Sequence, residues 1–318
     1  MPGRWANLSN RKTQVLLNGS LGLGLLAVSI FSLQHFAKMG WPLHHADPWL
    51  VVASALLFLV AYPFKAWGWQ RLFAKHERPA AQALAFAGGA ACVGGVALPG
   101  RIDDAVRMAV VKRYPGTRTG LGTLGLSLIV LGMLDNAALT PLATVAAADA
   151  DSWTVRAGFA VLAAAGVAAA AVVATLPRLA RWRRVAHLRP ARWLAGQSHL
   201  PKQTLAAWLL ISVSWMLRGT AVFLLLNALS LRDSVPLALA FLCASAASAA
   251  LPIAPAGAAT QAGAGAAILI ASGVRAGDAL AFSVAAQALV VVSGAAVILL
   301  IAAWRFALHV RRPRVATA

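Results

Sequence analysis

The chain has 318 residues, 60% of them hydrophobic, and its mean hydropathy is +0.74. Soluble domains contain about 45–50% apolar residues, so this composition excludes an ordinary soluble domain and indicates an integral membrane protein. The formal net charge of +19 does not indicate nucleic-acid binding, because the cations lie between apolar segments. Lys and Arg in such positions mark the cytoplasmic side of a membrane.

Six apolar segments have the length of about 20 residues that a helix needs to cross a bilayer. In chain order they are 14–34, 49–71, 120–147, 153–176, 205–229 and 278–304. The first resembles a signal peptide, but it is long and no small-residue cleavage pattern follows it, so we expect a retained helix. The predicted fold class is therefore an all-α integral membrane protein.

Two further apolar stretches, 80–98 and 235–254, each end in a break that contains Pro and Gly. A second short stretch with helical character follows each break, at 101–113 and 258–272. Both pairs are predicted to be re-entrant hairpins, and the alternative is two ordinary loops at the membrane surface. With hairpins and a cytoplasmic N-terminus, only four Lys and Arg residues fall on the external side of the membrane: Lys38, Arg156, Arg232 and Arg275. The positive-inside rule favours this topology.

The hairpins divide the chain into two similar units of opposite orientation. Residues 49–150 form helix, cytoplasmic hairpin and helix, and residues 205–306 form the same unit with an external hairpin. We therefore predict an inverted-topology repeat of about six full transmembrane helices and two re-entrant hairpins in one membrane domain, 1–318. Both termini are expected to be cytoplasmic, in the cell (plasma or inner) membrane. Many secondary transporters have such repeats, and their interrupted helices mark the binding site.

The first hairpin carries a neutral group of four charges after the break at Pro99 and Gly100. Arg101, Asp103, Asp104 and Arg107 are spaced by three or four residues, which places them on one side of a helix. Charges at membrane depth occur in pairs because an isolated one is costly. The start of this helix and Arg101 suit a phosphate. The alternative is a solvated loop whose charges pair only with one another.

The second hairpin has no charge. Small residues dominate it, and such residues usually allow helices to pack closely. Its helix-breaking and polar residues are candidates for the same site: Pro252, Pro255, Gly257, Thr260 and Gln261.

Other polar residues within the apolar segments are few. Asp135 and Arg218 each lie near the middle of a predicted crossing helix, and both are candidates for the substrate-binding site. The alternative is a structural role, in which the two residues form a buried ion pair with each other. Gln287, the polar group of the last helix, is a further candidate for the site. Lys65 is expected to extend its amine to the cytoplasmic surface.

A basic connector, 178–204, is predicted between the two units. Its residues 178–202 contain seven cations, interleaved Trp and Leu, and no acidic residue, and they suit a stretch that lies on anionic lipid. Tryptophans near the ends of predicted helices are expected to anchor them at the membrane surface: Trp41, Trp49, Trp69, Trp153 and Trp304. The sequence has no metal-binding cluster, nucleophile–base arrangement or P-loop, so we expect no cofactor and no enzymatic activity.

The two hairpin sequences, "LPGRIDDAVRMAVVKR" and "LPIAPAGAATQAGAG", resemble segments of the flippase-like transmembrane domain of lysylphosphatidylglycerol synthases and its stand-alone relatives. The resemblance covers about residues 10–306. It implies a role in lipid translocation, with site residues at the positions that match the family: Pro99, Gly100, Arg101, Asp104, Arg107, Asp135, Pro252, Pro255 and Gly257. No aminoacyl-transfer domain follows residue 306, so we expect a stand-alone member and not a synthase.

The chain departs from the family pattern at several charged positions. Asp103 replaces a Gly, Leu131 and Gly132 replace Glu-Arg, Gln261 and Ala262 replace Arg-Glu, and Gln287 replaces an Arg. Three functions are therefore considered. The first is a translocase for a lipid or lipid-linked precursor. The second is a non-transporting membrane partner of a glycosyltransferase or lipid synthase, and the third is an ion or proton exchanger.

Overall fold

The structure, a computed structural model, describes residues 46–97, 102–150, 152–179, 200–250 and 257–310. Within these ranges it contains α-helices and no strand, which confirms the predicted all-α class. The helices are α1 (Pro48–Gln70), α2 (Ala81–Ala97), α3 (Ile102–Arg113), α4 (Leu121–Asp149), α5 (Trp153–Leu179), α6 (Leu200–Ala228), α7 (Val235–Ala250), α8 (Gly257–Ala271) and α9 (Ala276–Val310). The predicted crossing segment 14–34 and most of the connector 178–204 lie outside the described residues.

Five of these helices, α1, α4, α5, α6 and α9, are long and apolar enough to cross a membrane. They correspond to the five predicted crossing segments from residue 49 onwards, so the protein is a multi-pass membrane protein. The predicted hairpin arms are also helices, but α2, α3, α7 and α8 have only 17, 12, 16 and 15 residues. Each is shorter than the roughly 20 residues that a full crossing needs.

The centre of the bundle is the contact between α1 and α6. The Ser54 hydroxyl donates to the carbonyl oxygen of Ala221 at 2.8 Å, and the Ser214 hydroxyl donates to that of Ala61 at 2.9 Å. Ascending positions on α1 meet descending positions on α6, so the two helices are antiparallel. Both serines are buried, and each bond satisfies a hydroxyl that would otherwise lie unpaired in an apolar contact.

The remaining helices pack around this central pair in a regular pattern. Helix α2 contacts α1, α3 and α9, and α7 contacts α6, α8 and α4. In the same way α9 contacts α1 and α8, and α4 contacts α6 and α3. Exchanging α1–α4 for α6–α9 converts each of these contacts into another of the contacts just named. Helix α5 packs mainly against α4.

Side chains on α1 show how the sequence determines which face is buried. Phe58, Tyr62 and Trp69, spaced by four and seven residues, are almost fully buried. Leu56 and Val60 are half exposed on the opposite side. Because one face packs on the core and the other remains apolar, the outer surface suits lipid rather than water.

The tryptophans divide into two groups. Trp49, Trp153 and Trp304 are exposed near helix ends, as the sequence predicts for membrane-surface anchors. The prediction is wrong for Trp69, which is buried and donates its indole N–H to the Ser127 hydroxyl on α4 at 2.9 Å. A buried indole needs such an acceptor, and α4 supplies it only after the helices pack.

Candidate functional site

Asp135 is the central residue of α4, with fourteen residues of the helix on each side. Its Oδ2 atom lies 2.9 Å from the Lys65 Nζ atom of α1, and the two side chains are 19% and 22% exposed. The Asp135–Arg218 ion pair considered from the sequence is therefore not formed, because the carboxylate of Asp135 pairs with Lys65 instead. The pair joins two spanning helices far from the ends of α4.

Lys65 does not extend towards the membrane surface as the sequence predicted. It lies five residues before the C-terminal end of α1 at Gln70. Side chains of an α-helix lean towards its N-terminus, so the amine of Lys65 points from this end into the bundle. The nearby carboxylate of Asp135 then gives it a better partner than the more distant surface.

Trp215 on α6 organises the charges around Asp135. Its indole N–H donates to the Oδ1 atom of Asp135 at 2.9 Å, so each carboxylate oxygen has one partner. Lys65 Nζ lies 5.4 Å from the centre of the Trp215 ring, and the guanidinium carbon of Arg218 lies 5.3 Å from it. The same guanidinium carbon lies 5.6 Å from the ring centre of Tyr62. We call these five residues, Tyr62, Lys65, Asp135, Trp215 and Arg218, the polar cluster.

Arg218 has aromatic neighbours but no carboxylate. Its Nε atom is buried and has no hydrogen-bond partner, and among the described residues its guanidinium forms no ion pair. Asp103 and Asp104 pair with Arg107, and Asp135 pairs with Lys65. The other described acidic residues lie in loops or at helix ends: Asp47, Glu77, Asp149, Asp233 and Asp278. Asp151 lies outside the described residues.

Helix α3 places a second charged group beside the polar cluster. Arg107 contacts Asp103 at 3.4 Å and Asp104 at 2.8 Å, which confirms the pairing expected from their spacing. Arg107 also acts electrostatically on Lys65 and Tyr62, as Arg218 does. The two aspartates are more exposed than Arg107, so the cation of this group is the part nearer the interior. Pro99, Gly100 and Arg101 lie outside the described residues.

The predicted residues of the second hairpin are not brought into the polar cluster by any described contact. Gly257 is the first residue of α8, and Thr260 and Gln261 follow within its first turns. The backbone carbonyl of Gln261 accepts from the Ser245 hydroxyl of α7 at 3.1 Å, so this contact joins the two arms. Gln287 is half-buried on α9. Pro252 and Pro255 lie outside the described residues.

A protein-family model described as "Lysylphosphatidylglycerol synthase TM region" matches residues 15–298, most of the chain. The chain belongs to this family. Comparisons with curated proteins and with solved structures each found no match.

The sequence analysis did not identify three residues of this family member as site residues: Tyr62, Lys65 and Trp215. Their spacing carried a usable signal. Tyr62 and Lys65 are three residues apart on α1, and Trp215 and Arg218 are three apart on α6, so each pair lies on one helix face. The spacing of Trp215 and Arg218 therefore indicated their cation–π contact, which stabilises a desolvated cation. The contacts of Tyr62 with Arg218 and of Lys65 with Trp215 form between helices, and nothing in the sequence indicated them.

The groups available in the site of this family member are cations, carboxylates and aromatic rings. Among the described residues, no three His, Cys, Asp or Glu side chains lie close enough to hold a metal ion. Charges grouped in this way can recognise an ionic group and hold its orientation.

Proposed function

We propose that the protein moves a membrane lipid, or a lipid-linked precursor, with an anionic or zwitterionic headgroup across the cell membrane. The observation that carries the proposal is the polar cluster, which lies in an apolar bundle and joins α1, α4 and α6. A charge at the centre of a membrane helix costs about 2.5–3.5 kcal/mol on insertion scales, and such residues usually mark a transport pathway. We expect no catalytic activity, because the groups present bind ions.

The headgroup enters from the cytoplasmic side in this proposal. It first meets the charged segment 101–107, where Arg101 and Arg107 offer guanidinium groups, and then reaches the polar cluster. Arg107 lies near enough to Lys65 for their positive charges to interact, which supports one continuous path. Both termini are cytoplasmic in this arrangement, and the basic segment 178–202 lies against anionic lipid.

In this proposal an inverted repeat makes possible the conformational change that alternates access to the site. The contact between α1 and α6 supports the presence of such a repeat. Ser214 follows Ser54 by 160 residues, and Ala221 follows Ala61 by the same interval, so the two hydrogen bonds exchange when the halves are exchanged. The helices are antiparallel, as an axis in the membrane plane requires. The paired helix contacts support the same symmetry. Rocking of one unit, with its re-entrant hairpin, against the other then alternates access to the site.

The two halves differ in charge, so the first half handles the headgroup. The interval of 160 residues relates Lys65 to Leu225 and Trp215 to Ala55. The same interval relates Asp135 on α4 to Ala295 on α9. The second half thus has Leu225 and Ala295 where the first has Lys65 and Asp135.

Reconstitution into liposomes tests the proposal. Lipids labelled on an acyl chain with a fluorophore that dithionite reduces report movement between leaflets, since dithionite reaches only the outer one. We expect movement with the wild-type protein, a loss of at least tenfold in Arg107→Gln and Arg101→Ala, and no loss in the control Arg275→Gln. Arg275 is 89% exposed and lies in the α8–α9 loop. Absence of lipid movement with folded wild-type protein would refute the proposal.

A second candidate function is a membrane partner of a glycosyltransferase or lipid synthase. The loss of charge in the second half favours this candidate, because the second half lacks the charged side chains with which it could bind a headgroup as the first half does. Stable co-purification with such an enzyme, and no lipid movement by the isolated protein, is the result that this candidate predicts. Ion or proton exchange, the third possibility, predicts flux that follows a pH gradient when no labelled lipid moves.

A further inference from the structure

We infer that the lipid selected by this protein carries one net negative charge on a phosphate group, and that Arg218 binds this phosphate. The inference rests on the proposed function, because it names the substrate class of the same site. It adds Arg218 as the binding residue and separates an anionic headgroup from zwitterionic and cationic ones.

The first argument is the balance of charge. Lys65 and Asp135 neutralise each other at 2.9 Å. The segment 101–107 contains two arginines and two aspartates and is neutral in sequence. The positive charge of Arg218 remains, and no described carboxylate approaches it. A cation within an apolar bundle is stable when a counter-ion or an equivalent partner compensates its charge. A headgroup of charge −1 would be such a counter-ion.

The second argument is the setting of the guanidinium. Tyr62 and Trp215 place their rings 5.6 and 5.3 Å from its central carbon, and both rings are buried. Cation–π contacts of this kind stabilise the charge but provide no acceptor for the N–H donors of the guanidinium. The buried Nε atom has no acceptor. A phosphate oxygen is an acceptor that matches the planar, forked donors of arginine.

The third argument concerns the groups that would bind a positively charged headgroup. An ammonium group needs a free carboxylate, but the two oxygens of Asp135 already accept from Lys65 and Trp215. Asp103 and Asp104 both contact Arg107. A zwitterionic headgroup would leave the charge of Arg218 uncompensated overall, and an aminoacylated headgroup would add a further positive charge. The cluster therefore selects against both.

The same phosphate chemistry could come from a lipid or from free phosphate, and the experiment separates these sources. Proteoliposomes receive acyl-labelled phosphatidylglycerol (charge −1), phosphatidylcholine (charge 0) or lysyl-phosphatidylglycerol (charge +1). A parallel set measures uptake of radioactive inorganic phosphate. We expect phosphatidylglycerol to move at least tenfold faster than lysyl-phosphatidylglycerol, with phosphatidylcholine between them and no phosphate uptake.

Substitutions assign the preference to Arg218. In Arg218→Gln we expect phosphatidylglycerol movement to fall at least tenfold and the preference among headgroups to disappear. Arg218→Lys keeps the charge but loses the forked donors, so it should retain the preference at a reduced rate. The exposed control Arg275→Gln should keep both rate and preference.

A measurement on the wild-type protein does not depend on how the variants fold. Short-chain phosphatidylglycerol should raise its unfolding temperature more than short-chain phosphatidylcholine, because a ligand stabilises the state that binds it. Equal movement of all three lipids, or fastest movement of the cationic one, would overturn the inference while leaving the proposed translocase intact. Phosphate uptake that Arg218→Gln abolishes, without lipid movement, would overturn both. An unchanged preference in folded Arg218→Gln would overturn the role of Arg218.

Discussion

Removal of Lys65 tests whether its contact with Asp135 stabilises the bundle. Lys65→Met keeps the apolar stem but leaves the carboxylate of Asp135 with Trp215 as its described partner. At a separation of 2.9 Å and an effective dielectric constant of about 20, the Coulomb attraction is about 6 kcal/mol. Desolvation of both groups opposes it, and breaking a buried pair on one side costs about 3–5 kcal/mol. Because each side chain is about one-fifth exposed, we expect the lower end, about 3 kcal/mol.

A double-mutant cycle isolates this interaction from the other effects of each substitution. Asp135→Asn alone leaves the Lys65 amine uncompensated and should also cost about 3 kcal/mol. The combination of Lys65→Met and Asp135→Asn removes both charges and keeps an oxygen for the indole N–H of Trp215. We expect the double variant to lose at least about 2 kcal/mol less of the free energy of unfolding than the sum of the losses in the two single variants.

Thermal unfolding in lipid nanodiscs, followed by tryptophan fluorescence at a fixed heating rate, measures the cycle. About 3 kcal/mol corresponds to a decrease of roughly 4–5 °C in the unfolding temperature of each single variant. The exposed Arg275–Asp278 pair, at a similar separation of 2.8 Å, provides the control cycle, and we expect a coupling of about 0.5 kcal/mol or less there. Additive decreases at Lys65 and Asp135 would refute the reasoning.

Three further predictions concern the packing and the polar cluster. Gly89→Ala should lower the free energy of unfolding by about 1–3 kcal/mol, because the new Cβ would lie 2.6 Å from the carbonyl oxygen of Gly294 and push α2 away from α9. Gly132→Ala is the control, since its Cβ would meet nothing within 4 Å. Equal unfolding temperatures for the two variants would contradict the close contact. Ser54→Ala and Ser214→Ala should each cost about 1 kcal/mol by loss of one buried hydrogen bond, and unequal costs would count against equivalent roles on α1 and α6. Trp215→Phe keeps the ring but removes the N–H donated to Asp135, so lipid movement should fall about tenfold (about 1.4 kcal/mol), whereas wild-type movement would show that the hydrogen bond has no role.

The sequence alone determined which segments become helices. Apolar runs bounded by charges and Pro-Gly breaks predicted the five described spanning helices and all four shorter arms to within a few residues, because run length and breaks are properties of neighbouring residues. The contacts of Arg107 with Asp103 and Asp104 could be predicted for the same reason, since helix geometry brings residues three and four apart together. The domain boundaries at 49–150, 178–204 and 205–306 stay predictions.

Only the tertiary structure decided which helices share a partner. Asp135 had two possible cations on other helices, and the sequence favoured Arg218 because both residues are central in their helices. The register of α1 against α6 and the lean of the Lys65 side chain bring its amine to the carboxylate instead. Trp69 likewise finds Ser127 only across a packed interface. Position along a helix follows from local sequence, but rotation and register between helices depend on packing over the whole bundle. This is why Lys65, and not Arg218, pairs with Asp135 in the part of the chain that the structure describes.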